Sequence, residues 1–237
     1  MSEKKILFLP CLLLLILAHT VLGGEKPAAT VAETDLVRLQ QTYGNLSSLC
    51  FDFSQVTRTR VRARTGKGTA VFLRTGDTNK KSAGIMRWNY NAPEKQIILN
   101  TGRELSIYSE KDRQLLVMPA AEVNDDITYS LFSGMKKLED LFHIQPPDPR
   151  FVYQRPGTNL KSLRLVPKKP HPQVQAIQIW FDDRFLIHHM IIEDHFDTIT
   201  EMDFSNIRIN TLDPGDTKQV RAITSLDLPE DVEVIRQ

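Results

Sequence analysis

The hydrophobic pattern changes period several times along the chain, and each change predicts an element. Leu36, Leu39 and Tyr43 recur at helical spacing, with Thr34 or Asp35 placed to cap a helix and Gly44 to stop it. From Leu49 the period drops to two. Leu49, Phe51 and Phe53 alternate with Cys50, Asp52 and Ser54, which is strand spacing. The alternation runs on through Arg58, Arg60, Arg62 and Arg64, all opposite Phe51 and Phe53, to a turn at Thr65-Gly66-Lys67-Gly68. A second strand over 69–74 places Ala70, Phe72 and Arg74 on one face. After a polar loop over 75–82, a third strand over 84–90 does the same for Met86, Trp88 and Tyr90, and Ala92-Pro93 breaks it. Residues 96–100 and 104–108 flank Thr101-Gly102 as a hairpin, and 115–118 is a further short strand.

A second helix signal opens at Asn124 or Asp125. Ile127, Leu131, Leu138, Leu141 and Phe142 share its apolar stripe with Met135 beside it, and Pro146, Pro147 and Pro149 end it. Strands resume over 151–155, 162–166, 176–181, 186–193 and 198–209. A last strand over 220–226 leads to Pro229 and a tail. Ten or eleven strands in series with two helical interruptions imply one large antiparallel sheet. Such a sheet must curl, split or close to hide its apolar face. Two short helices are too few for a second full layer. The pattern therefore implies a mainly β fold, a curled and incompletely closed barrel of about eleven strands with the helices laid over its opening, and hence an enclosed apolar cavity.

The amino terminus changes the picture of where this domain works. Lys4 and Lys5 precede an apolar run over 6–17, interrupted by Pro10, and Val21-Leu22-Gly23 supplies small residues for cleavage. A run of about twelve residues is short of the roughly 20 that span a bilayer. Residues 1–23 are read as a cleaved signal peptide, 24–33 as a flexible terminus and 34–237 as a single domain outside the cytoplasm. Cys11, preceded by Pro10 and followed by more Leu and Ile, belongs to the signal rather than to a lipid anchor. Cys50 is then the only mature cysteine, which excludes an internal disulfide, and its apolar flanks suit a buried thiol. The 30 Lys and Arg nearly balance the 29 Asp and Glu, which argues against a nucleic-acid binder.

Candidate chemistry is sparse. His188, His189, Glu193, Asp194 and His195 invite a metal reading, but in a strand His189 and His195 lie roughly 20 Å apart, and adjacent His188 and His189 face opposite ways. There is no Gly-x-Ser-x-Gly elbow, and Gly66-Lys67-Gly68-Thr69 lacks phosphate-loop spacing. A non-enzymatic protein without metal or cofactor is expected. Asn45-Leu46-Ser47 fits a glycosylation sequon. Arg58, Arg60, Arg62 and Arg64 form a one-faced ladder roughly 20 Å long at strand rise. It serves either as a solvated face or charged edge, or as a docking patch for an acidic partner or phospholipid headgroups.

Six segments in order resemble the periplasmic outer-membrane lipoprotein carrier family (LolA-like). They are 49–55 (LCFDFSQ), Arg74 with Met86-Arg87-Trp88-Asn89-Tyr90 and Pro93, 97–108 (IILNTGRELSIY), 163–168 (LRLVPK), 193–210 (EDHFDTITEMDFSNIRIN) and 228–235 (LPEDVEVI). The resemblance implies an eleven-stranded unclosed barrel with a helical lid. It implies a monomeric periplasmic chaperone that holds lipoprotein acyl chains in an apolar cavity. Such a chaperone takes them from an inner-membrane ATP-driven lipoprotein-releasing complex to an outer-membrane lipoprotein receptor. The candidate lining is Phe51, Phe53, Phe72, Met86, Trp88, Tyr90, Ile98 and Ile107, with Leu131 and Met135 from the lid. Alternation alone accounts for all of these as ordinary core. The family's lid-latching arginine corresponds to Arg74, which otherwise reads as a strand-end residue reaching water. The chain departs from the family pattern at Arg74-Thr75, in the turn from Asp194 to Thr198, at Thr224-Ser225-Leu226 and in the Arg58 to Arg64 series. Carriage of another lipid, or a lipid-sensing regulatory module, are the alternative functions.

Overall fold

The computed structural model describes residues 30–74, 84–120, 131–132 and 137–237. Helix α1 (Val31–Gly44) starts earlier than the Thr34 or Asp35 signal predicts. Thr30 and Glu33 form a reciprocal capping box: the Thr30 hydroxyl accepts from the Glu33 N–H, and the Glu33 carboxylate accepts from the Thr30 N–H. Residues 30–33, expected in a flexible terminus, are thus the cap and first turn. Leu36, Leu39 and Tyr43 are its buried stripe.

Among the described residues twelve strands form one sheet. They are β1 (Ser48–Arg58), β2 (Ala63–Leu73), β3 (Ile85–Ala92), β4 (Gln96–Asn100), β5 (Glu104–Ser109), β6 (Gln114–Pro119), β7 (Phe142–Gln145), β8 (Lys161–Pro167), β9 (Ala176–Phe181), β10 (Ile187–Glu193), β11 (Ile199–Ile209) and β12 (Glu233–Arg236). Their spatial order is β12-β6-β5-β4-β3-β2-β1-β11-β10-β9-β8-β7. The chain meanders through β1 to β6, crosses to β7, and meanders back until β11 pairs with β1. The two ends of the sheet, β7 and β12, do not pair with each other, so the barrel stays open. Both edge strands are only four residues long, which limits pairing with other chains.

Several expectations need correction. The first hairpin turns at Thr59 to Arg62, where Thr59 N–H donates to Arg62 O at 2.9 Å and the Thr59 hydroxyl accepts from Arg62 N–H at 3.2 Å. Gly66 and Gly68 lie inside β2 instead. A Cβ on Gly68 would sit 1.8 Å from Asn89 O, so this glycine permits close strand approach rather than a turn. Phe142 opens strand β7 and is not part of a helical stripe; the short helix Leu138–Leu141 (α2) ends just before it. The expected strand at 151–155 is an irregular strap over the outer face of the sheet, because β7 already occupies the edge beside β8. The strap is held by Asp148 N–H donating to Gln178 Oε1 at 2.7 Å, by an Arg150–Glu193 pair at 2.8 Å, and by Tyr153 stacked 3.9 Å from the His189 ring. The expected strand at 220–226 is mostly helix α3 (Thr217–Thr224), capped by the Asp216 carboxylate. Its apolar Val220 and Ile223 stand three apart, a helical interval. The tail forms β12 and runs parallel to β6, the one parallel pairing in the sheet.

The core has two sides. Inside the curl, Leu49, Phe51 and Phe53 of β1 meet side chains from β2, β3, β8, β9, β10 and β11 and from α1. Outside, Leu73, Ile85 and Leu99 are covered by Ile223 and Val220 of α3, and Tyr108, Leu115 and Val117 by Leu226, Leu228 and Val232. The carboxy-terminal segment thus makes half of the sheet two-sided.

Candidate functional site

Register brings the sequence candidates to one surface. Phe51 stands opposite Ala70, Ala70 opposite Trp88, and Trp88 opposite Ile98, which pairs with Ile107. Phe51, Phe53, Phe72, Met86 and Trp88 are buried in the inner cluster, with Tyr90 and Ile98 packed against it. Ile107 is half-buried beside Ile98. Leu131 is also buried there, whereas Met135 lies outside the described residues. The aromatic rings interlock edge to face. Phe53 is 4.9 Å from Trp88 and 4.8 Å from Tyr90, and Phe51 is 5.0 Å from Phe204. Such contacts add about 0.5–1.5 kcal/mol per pair beyond burial. Toward the β1–β2 turn the interior becomes polar: Tyr90 Oη bonds Gln55 Oε1 at 2.9 Å.

Phe132 fills the centre of this space. Its ring lies 5.4 Å from Phe51, 5.5 Å from Phe204, 5.7 Å from Tyr43 and 6.4 Å from Trp88. The interior is therefore occupied by the chain's own aromatic side chain. Helices α1 and α2 lie over it, joined by Leu138 N–H donating to Gln40 Oε1 at 2.8 Å. Tyr43 is fully buried, and its hydroxyl accepts from Ile187 N–H at 2.9 Å. Burial pushes the Tyr43 phenol well above the ordinary tyrosine range.

Arg74 stands at the end of β2 and turns back to α1. Its Nε donates to Leu46 O at 3.0 Å and its Nη2 to Tyr43 O at 3.2 Å. These acceptors belong to the last turn of α1 and the residues just after it, where helix carbonyls lack intrahelical partners and carry the negative end of the dipole. The guanidinium also lies 5.7 Å from the Phe72 ring. A cavity of about 590 Å³ opens beside the β7 edge, between the first turn of α1 and α2, with Ala32, Phe142, Ile144 and Leu163 in its wall. A second, of about 700 Å³, lies under the outer strap against Tyr153 and Trp180. No residue of the inner cluster lines it.

The four arginines do not form a one-strand ladder, because the turn falls among them. Arg58 ends β1, Arg60 and Arg62 lie in the turn, and Arg64 is on β2. Arg58 pairs with Glu201 at 2.5 Å and Arg60 with Asp197. The histidines also differ from expectation. A bulge between Ile187 and His189 turns His188 toward Arg155 and Asp182, while His189 bonds Asp203 at 3.0 Å on the outer face. Asp203 is held below the usual carboxylate range, first by this bond to His189. No cluster of metal-ligating side chains occurs among the described residues.

A family model described as outer membrane lipoprotein carrier protein LolA matches residues 44–216. The chain belongs to this family. A carrier from Pseudomonas fluorescens, named outer-membrane lipoprotein carrier protein, is 23% identical over 227 residues, covering 95% of this chain and 98% of its own. A relative of the same name from Methylococcus capsulatus is 26% identical, covering 85% and 89%. Among solved structures, an uncharacterized conserved protein from Thermus thermophilus superposes with a TM-score of 0.50 at 11% identity, over 88% of this chain and all of that one. That likeness speaks to the fold alone.

Two features of this LolA-family chain escaped the sequence pattern. Phe132, next to the nominated Leu131, is the ring that reaches the centre. The pattern put a helix there and nominated Leu131, which is buried in the same cluster, but left out the ring beside it. Arg87 donates to Ile223 O at 2.8 Å and Ser225 O at 2.7 Å, holding the end of α3 to the outer face as Arg74 holds α1. Nothing in its local sequence signals a partner 136 residues away.

Proposed function

We propose that this chain is a periplasmic carrier that shields lipoprotein acyl chains inside its unclosed barrel and moves them from the inner to the outer membrane. The observation that carries the reading is the aromatic interior, closed by two short helices and filled by Phe132. Family membership supports the same cargo class. Each buried CH₂ recovers about 0.8 kcal/mol, so a preformed empty cavity would hold a long chain too tightly to release it. Here cargo must displace Phe132 and the contacts it makes. Net affinity is then the difference between two filled interiors, and apparent affinity falls with the scarcity of the open form. The cavity beside β7 shares Phe142 and Leu163 with the inner cluster and supplies a route inward.

On this reading the residues perform no covalent chemistry. Energy for loading comes from an inner-membrane ATP-driven releasing complex, and an outer-membrane receptor accepts the cargo. Residues 1–23 serve as the export signal. No helix among the described residues is long and apolar enough to cross a membrane.

Native mass spectrometry of protein taken from its own periplasm, with extraction of what co-purifies, tests the proposal. Acylated lipoprotein at one per chain is expected. Free glycolipid or phospholipid in that place would reassign the cargo. An empty protein that also fails to take lipoprotein from loaded membranes would overturn the carrier reading.

A further inference from the structure

We propose that the β1–β2 turn and the neighbouring β10–β11 turn together form an edge that docks on an anionic phospholipid surface. The proposal does not depend on what the interior carries.

Two large apolar side chains are exposed at this end of the sheet. Val61 is 90% exposed and Phe196 is 77% exposed. They sit at the tips of adjacent turns, since Arg58 pairs with Ile199 in register and Arg60 reaches Asp197 across the gap. The first turn is fixed rather than slack, because the Thr59 hydroxyl accepts from the N–H groups of both Val61 and Arg62. The second is fixed by Asp194, whose carboxylate accepts from Phe196 N–H at 2.8 Å and Thr198 N–H at 2.7 Å. The β1–β2 hairpin also projects. Pairing of β2 with β3 begins at Lys67, so residues 63–66 extend past their neighbour on that side.

Charge left over on the β1–β2 hairpin is positive, while the neighbouring turn keeps Asp194 on its own backbone N–H groups. Glu201 and Asp197 are taken by Arg58 and Arg60. On the adjoining turns Glu94 is taken by Lys111 and Glu110 by Lys95. Arg62 and Arg64 are exposed, and no carboxylate pairs with either among the described residues. Exposed Lys169 stands in the β8–β9 connection, which joins the second turn through His195 Nε2 and His171 O at 2.9 Å. Guanidinium groups bind phosphate oxygens in a fork, and an apolar tip between them can enter the headgroup boundary. An acidic protein would use the arginines but would not call for two separated apolar tips held level with them.

The test is co-sedimentation of the chain lacking residues 1–23 with vesicles of phosphatidylglycerol and phosphatidylethanolamine, against vesicles of phosphatidylcholine alone. Binding to the first and not the second is expected, with loss at high salt. Arg62→Gln and Arg64→Gln should each weaken partitioning about fivefold, from about 1 kcal/mol per basic residue. Phe196→Ser should weaken it about tenfold. The thermal melt should stay unchanged, because these side chains are exposed. Phe196→Trp should be quenched by brominated lipid. No binding to anionic vesicles, equal binding to both compositions, or an unquenched Phe196→Trp would each overturn the proposal.

Discussion

Arg74 donates through Nη2 to the carbonyl oxygen of Tyr43 at 3.2 Å, so the end of β2 grips the last turn of α1. A second bond, to Leu46 O, holds the chain just past the helix. Hydrogen bonds from a charged donor contribute about 1.5–3 kcal/mol. Arg74→Leu should therefore free α1 without unfolding the sheet. Amide exchange over 36–44 is expected to rise by about tenfold or more while β1 and β11 keep their protection. Unchanged exchange in α1 would refute the grip.

Tyr43 couples the same helix to β10 and to alkaline pH. Its phenol is raised by burial, so the folded chain holds the proton where the unfolded chain, near pH 10, gives it up. A raised group contributes stability that is full below the unfolded value and is lost as pH climbs above it. Stability should fall from about pH 10 upward, and Tyr43→Phe should flatten part of that fall. The rest is ascribed to groups such as Tyr153, pushed up to about 12 chiefly by burial. At neutral pH the same substitution leaves the Ile187 N–H unpaired in the core, costing about 1–3 kcal/mol. Denaturant melts of both proteins from pH 7 to 11 check the two effects together.

On the carrier reading, Phe132 competes with any guest for the centre of the barrel. Phe132→Ala should lower stability by about 3 kcal/mol. It should also tighten binding of a fluorescent fatty-acyl probe several-fold, since nothing must then be displaced. A variant that is destabilised yet binds the probe more weakly would make Phe132 a wall of the site rather than its plug.

The outer arginine offers a contrast. Arg87→Leu cuts the link from β3 to Ile223 O and Ser225 O but touches nothing in the inner cluster. It should loosen α3 and the segment that covers Tyr108, Leu115 and Val117, lowering the melting temperature by a few degrees. Probe affinity should stay within a factor of two. A large change in probe binding would mean that the outer cover and the interior are coupled.

Most of the sheet was legible because its strands alternate cleanly. Residues 176–181 agree at both ends, and Met86, Trp88 and Tyr90 share a face as their spacing demands. What the pattern missed has local causes. Gly66 and Gly68 look like turn residues but lie inside β2, and at Gly68 the β3 backbone comes too close for a Cβ. Residues 151–155 alternate like a strand, yet which element takes an edge is decided by distant pairing, and β7 had taken it. Val220, Ala222 and Leu226 alternate like a strand while Val220 and Ile223 keep a helical interval, and the Asp216 cap decides for helix. Of the candidate site, the inward surface followed from alternation together with the family resemblance. The contacts of Arg87 and the reach of Phe132 depend on segments far apart in sequence.

The gap between β7 and β12 has a mechanical meaning. In a closed barrel, strand number and stagger fix the bore, and widening it breaks ladder hydrogen bonds around the ring. Here the circumference ends in two four-residue strands that owe each other no hydrogen bonds. The curl can loosen or tighten without breaking a ladder hydrogen bond between its two ends. On the carrier reading, one protein can thus fit guests of unequal girth, much as a split collar fits pipes that a solid ring would not.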